Sequence, residues 1–333
     1  MPRDSFLHGV VVLAALALSA GTAAGARVDE ARPLMGTVVE ISAEGADATA
    51  ARDAIEAAYR EMGRLSDMMN HYDPASVVSA INDAAGARAV RVPPELMEVL
   101  AMARRVSERS AGAFDVTVGS LRGWRFRSGD TRLPAPEEIA AQLPRVGYRK
   151  LRLDRAAGTA FLAERGMRID LGGIAKVYIL HSGLRALERR GVARAMVNGG
   201  GDVLASGSPG ARPWRIGVRD PRAPQQLIGV LEIERGFVVS SGDYERYFVK
   251  DGVRYHHILD PRTGYPSAGP RGVTLVAQDM EAVNGLSVAI MVLGRDRGMR
   301  LVTATPGLDA LIVDRDGSLW MSPGFAARLR AAP

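Results

Sequence analysis

The chain is organised around residues 255–266, whose sequence is Tyr-His-His-Ile-Leu-Asp-Pro-Arg-Thr-Gly-Tyr-Pro. The residues before it predict a strand over 253–259, which Asp260-Pro261 ends because proline fixes φ and disfavours helix before it. Thr263-Gly264 predicts a turn in which the glycine takes a positive φ. Polar side chains therefore gather where a strand meets a turn, on a backbone that a scaffold can hold still. We expect a functional site here, and the alternative is an ordinary surface hairpin with two unremarkable histidines.

The N-terminal residues predict export. Arg3 precedes an apolar run over 10–18 and small residues that end with Ala24-Gly25-Ala26, a pattern typical of a cleavable signal peptide over residues 1–26. The apolar run is short for a membrane span, and an uncleaved anchor is the alternative. The chain contains no cysteine, which excludes a lipidated cysteine, a disulfide and a thiolate metal site. We therefore expect an exported, periplasmic protein without stable membrane insertion after cleavage.

The composition is that of a globular protein with a basic surface. Hydrophobic residues make up 47% of the chain, and the formal net charge is +6. The arginines are scattered and no basic run is interleaved with aromatics, which argues against a nucleic-acid partner. A diffuse basic surface instead favours anionic ligands.

Periodicity predicts a mixture of helices and strands without regular βαβ alternation, which indicates an α+β fold with a largely antiparallel sheet flanked by helices. The predicted helices cover 47–69, 75–81, 93–109, 173–190 and 281–293, with Asp47 as the N-cap of the first. Further strands are predicted over 36–41, 150–153, 166–170, 195–197, 215–218, 227–233 and 237–240. One domain over 33–325 accounts for these elements, and the segment 133–142, with two prolines, is predicted to be a surface insertion.

Several common nucleotide and hydrolase motifs are absent from the sequence. The glycine run 199–201 would need glycine at position 204 to match a dinucleotide loop, but Leu204 stands there, and no phosphate-binding P-loop or G-x-S-x-G motif occurs. Gly172-Gly173 is predicted to lie where a strand enters a helix. Exposed backbone N–H groups there, with Lys176 beyond them, predict a phosphate site, although tight turns alone would also explain such glycines.

Taken together, the motifs resemble those of the FAD:protein FMN transferases, the flavin transferase (ApbE) family. The motifs that carry the resemblance are Met35-Gly36-Thr37, Gly112-Ala113-Phe114-Asp115 with Trp124, Asp170-Leu171-Gly172-Gly173-Ile174-Ala175-Lys176, Asn198-Gly199-Gly200-Gly201-Asp202, Ser241-Gly242-Asp243-Tyr244-Glu245-Arg246 and residues 257–266. The resemblance implies a T-fold-like α+β domain that binds FAD. It further implies Mg²⁺-dependent transfer of FMN to a threonine or serine hydroxyl of an exported or membrane redox protein, with release of AMP.

The resemblance also implies a set of site residues. The implied FAD-binding residues are Met35, Tyr72, Ala113, Phe114, Asp115, Gly172, Gly173, Lys176, Ser241, Gly242 and His257. Lys176 would neutralise phosphate, and His257 would accept the proton of the acceptor hydroxyl, since an imidazole can do this near pH 7. Asp260 and Arg262 would hold the turn and the pyrophosphate.

The chain departs from the family at the metal site. In the family, an aspartate and a threonine on one helix face bind Mg²⁺ with the carbonyl of the alanine before the lysine. Here Ala175 keeps its carbonyl, Asn284 offers an uncharged amide oxygen, and Val288 offers no ligand. Ser287 is adjacent to Val288 in sequence but would lie about 100° from it round a continuous helix, and it is a poor substitute. Because Mg²⁺ prefers hard, usually anionic oxygens, we expect a weakened site.

Three hypotheses follow. The chain is a flavin transferase with an altered metal site, a FAD-binding homologue that acts as a flavin carrier or partner-binding protein without transferase activity, or a FAD pyrophosphatase. Flavin fluorescence on an acceptor, measured together with AMP release, distinguishes them.

Overall fold

An eight-stranded antiparallel sheet forms the centre of the computed structural model, which describes residues 26–332 except 127, 128, 209 and 211. The predicted signal peptide therefore lies almost wholly outside the described residues. The strands are β1 Arg27–Leu34, β2 Thr37–Glu44, β3 Val90–Arg91, β4 Leu151–Asp154, β5 Thr159–Leu162, β6 Arg194–Gly199, β7 Asp202–Ser206, β8 Trp214–Asp220, β9 Ala223–Ile233, β10 Gly236–Gly242, β11 Tyr247–Lys250, β12 Val253–His256, β13 Gly272–Ala277, β14 Asp309–Val313, β15 Leu319–Met321 and β16 Leu329–Arg330. The strand order of the large sheet is β1-β2-β6-β7-β10-β13-β14-β15.

Three small sheets and a set of helices surround the large sheet. The small sheets are β11-β12, β16-β9-β8 and β3-β5-β4. The α-helices are α1 Ala48–Met69, α2 Val77–Asp83, α3 Pro94–Arg109, α4 Pro136–Gln142, α5 Ala175–Arg189, α6 Met280–Val283, α7 Leu286–Leu293, α8 Arg295–Thr303 and α9 Pro323–Arg328. The predicted α+β class with a largely antiparallel sheet is confirmed.

Helix α1 shows how the sequence pattern builds the core. Asp47 is its N-cap, and the carboxylate accepts a hydrogen bond of 2.8 Å from the Ala50 N–H. The predicted apolar face is buried, and its members are Ala51, Ile55, Ala58, Met62, Leu65 and Met69. This face packs beside α5 over one side of the sheet, where the alternate residues Val39, Ile41 and Ala43 of β2 are also buried.

Strand β1 was not predicted because its sequence, Arg-Val-Asp-Glu-Ala-Arg-Pro-Leu, is rich in charge. It nevertheless pairs with β2 along its whole length, from Arg27 opposite Glu44 to Leu34 opposite Thr37. Edge strands tolerate charged and proline residues because one side of their backbone has no partner strand.

The strand predicted over 166–170 is wrong. The Asn82 side chain of α2 takes the place of a neighbouring strand, because its Oδ1 accepts from the Ile169 N–H at 2.7 Å and its Nδ2 donates to the Ile169 carbonyl at 3.2 Å. The Asp170 N–H donates to the Val116 carbonyl at 2.8 Å. The segment is therefore extended, but side-chain and loop contacts hold it.

The single helix predicted over 281–293 is also wrong. Helix α6 ends at Val283, and Gly285 has a φ of 75° before α7 begins at Leu286. A Cβ at position 285 would lie 3.2 Å from the Val106 side chain and 3.3 Å from Phe114. Asn284 therefore lies in an extended link between two helices, and the inference that it shares one continuous helix face with Val288 fails.

The predicted surface insertion, 133–142, contains α4. Ile139 on that helix is buried in a small apolar cluster with Leu121, Trp124 and Phe248. Whether the segment is an insertion relative to other proteins stays a prediction. Within the described residues, no helix has the length and apolarity that a membrane span requires.

We expect Asn82→Ala to destabilise the fold by about 2–3 kcal/mol, because it leaves a buried N–H and a buried carbonyl of Ile169 unpaired. Urea denaturation followed by circular dichroism measures this loss. Gln226→Ala, which removes an exposed amide on β9, is the matched control and should change the free energy of unfolding by no more than about 0.5 kcal/mol. Equal effects of the two variants would contradict the structural role of Asn82.

Candidate functional site

A buried ion pair fixes the lysine of the predicted phosphate site. Lys176 Nζ lies 2.8 Å from Asp202 Oδ2, and the Asp202 carboxylate is almost fully buried while the lysine is about one-third exposed. The other oxygen, Asp202 Oδ1, accepts from the Ser240 N–H at 3.0 Å. The lysine is therefore tied to the start of β7 and, through Asp202, to β10, while part of its side chain stays exposed to solvent. Sequence analysis placed Asp202 in a family motif but did not identify it as the partner of Lys176.

Two tight turns lie side by side at the edge of this site. Met35 and Gly36 join β1 to β2 with φ of 54° and 71°, and Gly200 and Gly201 join β6 to β7 with φ of 60° and 93°. A positive φ at both central residues is typical of two-residue hairpin turns. A Cβ at Gly200 would lie 2.8 Å from Thr37 Oγ1, so the two turns pack closely. Met35 adopts a conformation that is uncommon for a residue with a side chain.

The turn before α5 differs from the predicted phosphate site. Gly172 and Gly173 are exposed, but the helix begins only at Ala175. The Gly172 N–H donates to Asp170 Oδ1 at 2.7 Å, so this donor is already used and a carboxylate lies beside it. His71 Nδ1 lies 3.4 Å from the same oxygen. The Asp170 carboxylate repels an anion and the Lys176 ammonium group attracts it. An anion therefore approaches this turn more easily from the side of Lys176.

Close packing explains Gly173. A Cβ there would lie 3.1 Å from Phe114 Cε2 and 3.5 Å from Val288 Cγ2. The aromatic ring thus lies under both this turn and the link at Gly285. Tyr72 is 67% exposed, and its ring centroid is 3.9 Å from that of His71, which contacts Asp170. An exposed aromatic ring beside this turn can stack on a planar ring system.

The three residues Ala113, Phe114 and Asp115 are buried rather than exposed. Asp115 accepts hydrogen bonds from the Thr117 N–H and hydroxyl at 2.8 and 2.6 Å, and from the Tyr148 N–H at 2.7 Å. Burial raises the pKa of the Asp115 carboxyl despite these bonds. These side chains therefore form part of the buried packing next to the site. Their contact with FAD stays a prediction.

The predicted residues Ser241 and Gly242 lie at the end of β10. Ser241 Oγ is 2.9 Å from Ser287 Oγ in the first turn of α7. A Cβ at Gly242 would lie 2.2 Å from the Tyr244 ring, so only glycine leaves room for that ring. Because Ser241 lies on β10 and Ser287 on α7, the contact between their hydroxyl groups joins that helix to the large sheet.

The two adjacent histidines have different roles. His256 is buried, its Nε2 lies 3.0 Å from the Ser267 carbonyl oxygen, and its Nδ1 accepts from the Ile258 N–H at 3.3 Å. Both ring nitrogens are therefore engaged within the fold, with the proton on Nε2. Burial lowers the pKa of His256. This histidine is a structural residue.

His257 has one ring nitrogen to spare. Its Nδ1 lies 3.3 Å from the Arg246 carbonyl oxygen, which can only accept, so Nδ1 carries the proton and Nε2 keeps a lone pair. Burial lowers the pKa of His257 to about 3, and the positive charges of Arg246 and Lys176 also lower it. The imidazole is thus neutral at physiological pH and lies within electrostatic reach of Lys176.

The turn after His257 is rigid. Asp260 accepts from the Arg262 backbone N–H and from its side chain at 2.9 and 2.7 Å. Gly264 has a φ of 75°, its carbonyl accepts from Trp124 Nε1 at 2.7 Å, and a Cβ there would lie 2.7 Å from Ile139. Asp260 and Arg262 hold the turn together, while contact of Arg262 with a pyrophosphate stays a prediction.

The residues at the implied metal position do not fit Mg²⁺. Asn284 is fully buried and its Nδ2 lies 3.1 Å from Met102 Sδ, while its Oδ1 has no hydrogen-bond partner. Val288 carries no oxygen, and the carbonyl of Ala175 is neutral. The described residues contain no cluster of three acidic, histidine or cysteine side chains suited to a metal. Since Mg²⁺ demands near-octahedral oxygen ligands, usually with carboxylates among them, this donor set is too poor.

The arrangement as a whole brings a lysine, a neutral imidazole and an exposed aromatic ring to one region. The Asp202 carboxylate connects α5, β7 and β10 through its ion pair with Lys176 and its hydrogen bond from Ser240, and the charge of Lys176 helps to lower the pKa of His257 after β12. A cation beside a base with a free lone pair can bind a phosphate group and accept a proton from a nucleophile next to it. The site therefore suits transfer chemistry at phosphorus.

Comparisons with known proteins agree with this chemistry. The model of the ApbE family matches residues 35–312. A FAD:protein FMN transferase of Treponema pallidum is 33% identical over 272 residues, covering 77% of this chain and 75% of that protein. One of Klebsiella pneumoniae is 34% identical over 273 residues, covering 81% and 84%. The crystal structure of the ApbE protein from Thermotoga maritima matches with a TM-score of 0.84 and 36% identity, over 92% of this chain and 100% of that one.

We expect Mg²⁺ to leave the melting temperature of the native chain unchanged, and the double variant Asn284→Asp, Val288→Thr to gain a Mg²⁺-dependent increase. The carboxylate and the hydroxyl return two hard oxygens to the positions that the family resemblance implies as metal ligands, and each single change should do less than the pair. Thermal unfolding with and without millimolar Mg²⁺ measures the effect.

Without the metal, the new aspartate is an unpaired buried charge, so the double variant should melt below the native chain. Val288→Ala, which adds no oxygen, is the control for altered packing against Gly173. A double variant that shows no response to Mg²⁺ would mean that these positions are not a lost metal site.

Proposed function

Because the chain belongs to the ApbE family, we propose that it is a FAD:protein FMN transferase, which moves FMN from FAD to a hydroxyl group of a second protein and releases AMP. The observation that carries the proposal is a pair of groups held by the fold: His257, whose Nδ1 lies 3.3 Å from the Arg246 carbonyl oxygen so that Nε2 keeps its lone pair, and the Lys176–Asp202 ion pair, whose lysine charge helps to lower the pKa of His257. The family match over residues 35–312 supports the choice of FAD as the donor.

The reaction can be assigned to residues of this chain. The hydroxyl oxygen of the acceptor attacks the phosphorus of the FMN half, its proton passes to His257 Nε2, and the bond to the AMP phosphate breaks, so that AMP leaves with the bridging oxygen. Lys176 neutralises charge on the diphosphate, and Asp202 keeps the ammonium group in place. Tyr72 offers its exposed ring to the flavin or adenine.

Diphosphate binding makes His257 a better base. In the free protein the positive charges of Arg246 and Lys176 help to hold its pKa at about 3, where it is neutral but a weak proton acceptor. A bound diphosphate places negative charge beside Lys176 and offsets this repulsion. The pKa of His257 therefore rises when FAD is present, which is when a base is required.

Mg²⁺ supplies no step in this proposal, since the positions of Asn284 and Val288 lack the ligands that it needs. That same observation favours the FAD-binding homologue without transferase activity as the second candidate.

We also propose that the acceptor is an exported or membrane redox protein with a threonine or serine hydroxyl, and that the protein acts in the periplasm after removal of residues 1–26. The sequence pattern of the leader supports the last point.

The proposed function is tested by incubating the purified protein with FAD and an acceptor domain, with and without Mg²⁺. We expect in-gel flavin fluorescence on the acceptor and one AMP for each flavin transferred. His257→Gln should retain FAD binding and lose about 10²-fold or more in transfer rate, the usual contribution of a general base. His181→Gln, which removes a histidine that packs on Phe237, is the matched control.

Free FMN and AMP without a labelled acceptor would indicate the pyrophosphatase, and FAD bound intact would indicate the carrier.

A titration of His257 tests the electrostatic mechanism. We expect its imidazole to stay neutral from pH 8 down to about pH 4 in the free protein, since its pKa is lowered to about 3. Saturation with ADP, which supplies the diphosphate without the flavin, should raise this pKa because an anion stabilises the imidazolium. Imidazole chemical shifts in NMR spectra, assigned with the His257→Gln variant, report both values. A pKa near 6.5 in the free protein, or no change with ADP, would contradict the mechanism.

A further inference from the structure

The β11–β12 hairpin, which leads directly into His257, exposes large apolar side chains. Tyr247 is 44% exposed, Val249 53% and Val253 50%. In the part of the chain that the structure describes, seven large apolar residues are exposed, and three of them lie on this one hairpin. A concentration of apolar surface at one place indicates an interaction site rather than chance exposure.

Tyr247 and Val249 share one face of the hairpin, whereas Val253, which pairs with Lys250, lies on the other face together with Phe248 and Tyr255. Near the aromatic residues this other face is packed. Phe248 is buried, and its ring lies 5.3 Å from Tyr255 and 6.0 Å from Phe126, while Tyr255 lies 5.9 Å from Trp124. These aromatic contacts anchor the hairpin on the body of the protein. The exposed face is therefore presented by a rigid element and not by a loosely attached loop.

The outer edge of β11 has free backbone groups. The His257 N–H donates to the Arg246 carbonyl at 3.0 Å, so Arg246 and His257 form a hydrogen-bonded pair. In an antiparallel ladder such pairs alternate, and Tyr247 and Val249 therefore direct their N–H and C=O groups away from β12. Among the described residues, β12 is the only strand that pairs with β11. An unpaired edge of this kind is a template for an added strand.

We propose that this edge is the docking surface for the acceptor protein. An extended segment of the acceptor adds to β11 as a further strand and packs its apolar side chains on Tyr247 and Val249. The inference rests on the proposed transferase function, which requires a second protein to reach His257.

The position of the edge identifies the occupant. Arg246, the residue before Tyr247, lies opposite His257, so the start of β11 is the end nearest the candidate base. A segment paired along the outer edge of β11 lies one strand further out, and its continuation beyond Arg246 can turn towards His257. Glu245 and Asp251 stand next to Arg246 and Lys250, so the two ends of the hairpin favour neither an acidic nor a basic segment. The exposed side chains of Tyr247 and Val249 instead favour an extended, apolar segment that carries the accepting threonine or serine at one end.

The proposal is tested with the acceptor domain of the transfer assay, in which the accepting residue is changed to alanine so that binding occurs without chemistry. Calorimetry should show at least about tenfold weaker binding to the Tyr247→Ser, Val249→Ser double variant than to the native chain, since interface aromatics often contribute that much. The affinity for FAD should not change, which shows that the variant is folded. Leu227→Ser on β9, a residue that is also 44% exposed, is the matched control and should bind the acceptor as the native chain does.

A measurement on the native chain tests the added strand directly. Hydrogen exchange of the Tyr247 and Val249 amides should slow when the alanine-substituted acceptor binds, because a new strand takes up their N–H groups. Binding of the acceptor without protection of these amides, or equal affinity of the double variant, would overturn the docking surface. Docking with protection but without flavin transfer from FAD to the unaltered acceptor would instead overturn the proposed function and leave this surface in place.

Discussion

The buried carboxylate of Asp202 is the constraint on which the site depends. Its two oxygens are used by Lys176 and by the Ser240 N–H, so that one side chain connects α5, β7 and β10. A buried charge is stable only when it is paired and hydrogen-bonded. The glycine turn at 200–201 is what allows the chain to reverse directly before this residue. The lysine is thereby held in one place before any phosphate arrives.

The pattern of caps and apolar residues in the sequence was sufficient to predict those elements that are determined by residues close together in the chain. The cap and apolar face of α1 are determined by residues close in sequence, and the prediction was correct. The failures involve partners far along the chain. Asn82 holds Ile169 across 87 residues, and Phe114 fills the space that makes Gly285 necessary. Periodicity contains no information about such contacts, and it therefore predicted a strand at the first place and a continuous helix at the second.

The candidate site, like the fold, could be predicted only in part from the sequence. The motifs named most of the residues that the structure brings together, but not what each one does there. The sequence predicts Gly173 as a cofactor-binding glycine, and the structure adds that a Cβ there would lie only 3.1 Å from Phe114 Cε2; its contact with FAD stays a prediction. Asp202 was part of a known motif, and only its contact with Lys176 reveals its function. His256 and His257 each contact one carbonyl oxygen, and they differ because the Ile258 N–H also occupies the second ring nitrogen of His256, a contact that the sequence does not reveal.

The substitutions at the metal end are physically consistent with one another. An aspartate at position 284 would be a fully buried carboxylate, which is costly unless a cation pairs with it. With valine at 288 the neighbouring ligand is missing, and the neutral Asn284 avoids that cost while its amide contacts Met102. Ser287 is likewise engaged by Ser241 and not turned towards a metal. In the proposed transferase the positive charge beside the diphosphate therefore comes from Lys176, which its contact with the buried Asp202 carboxylate holds in position.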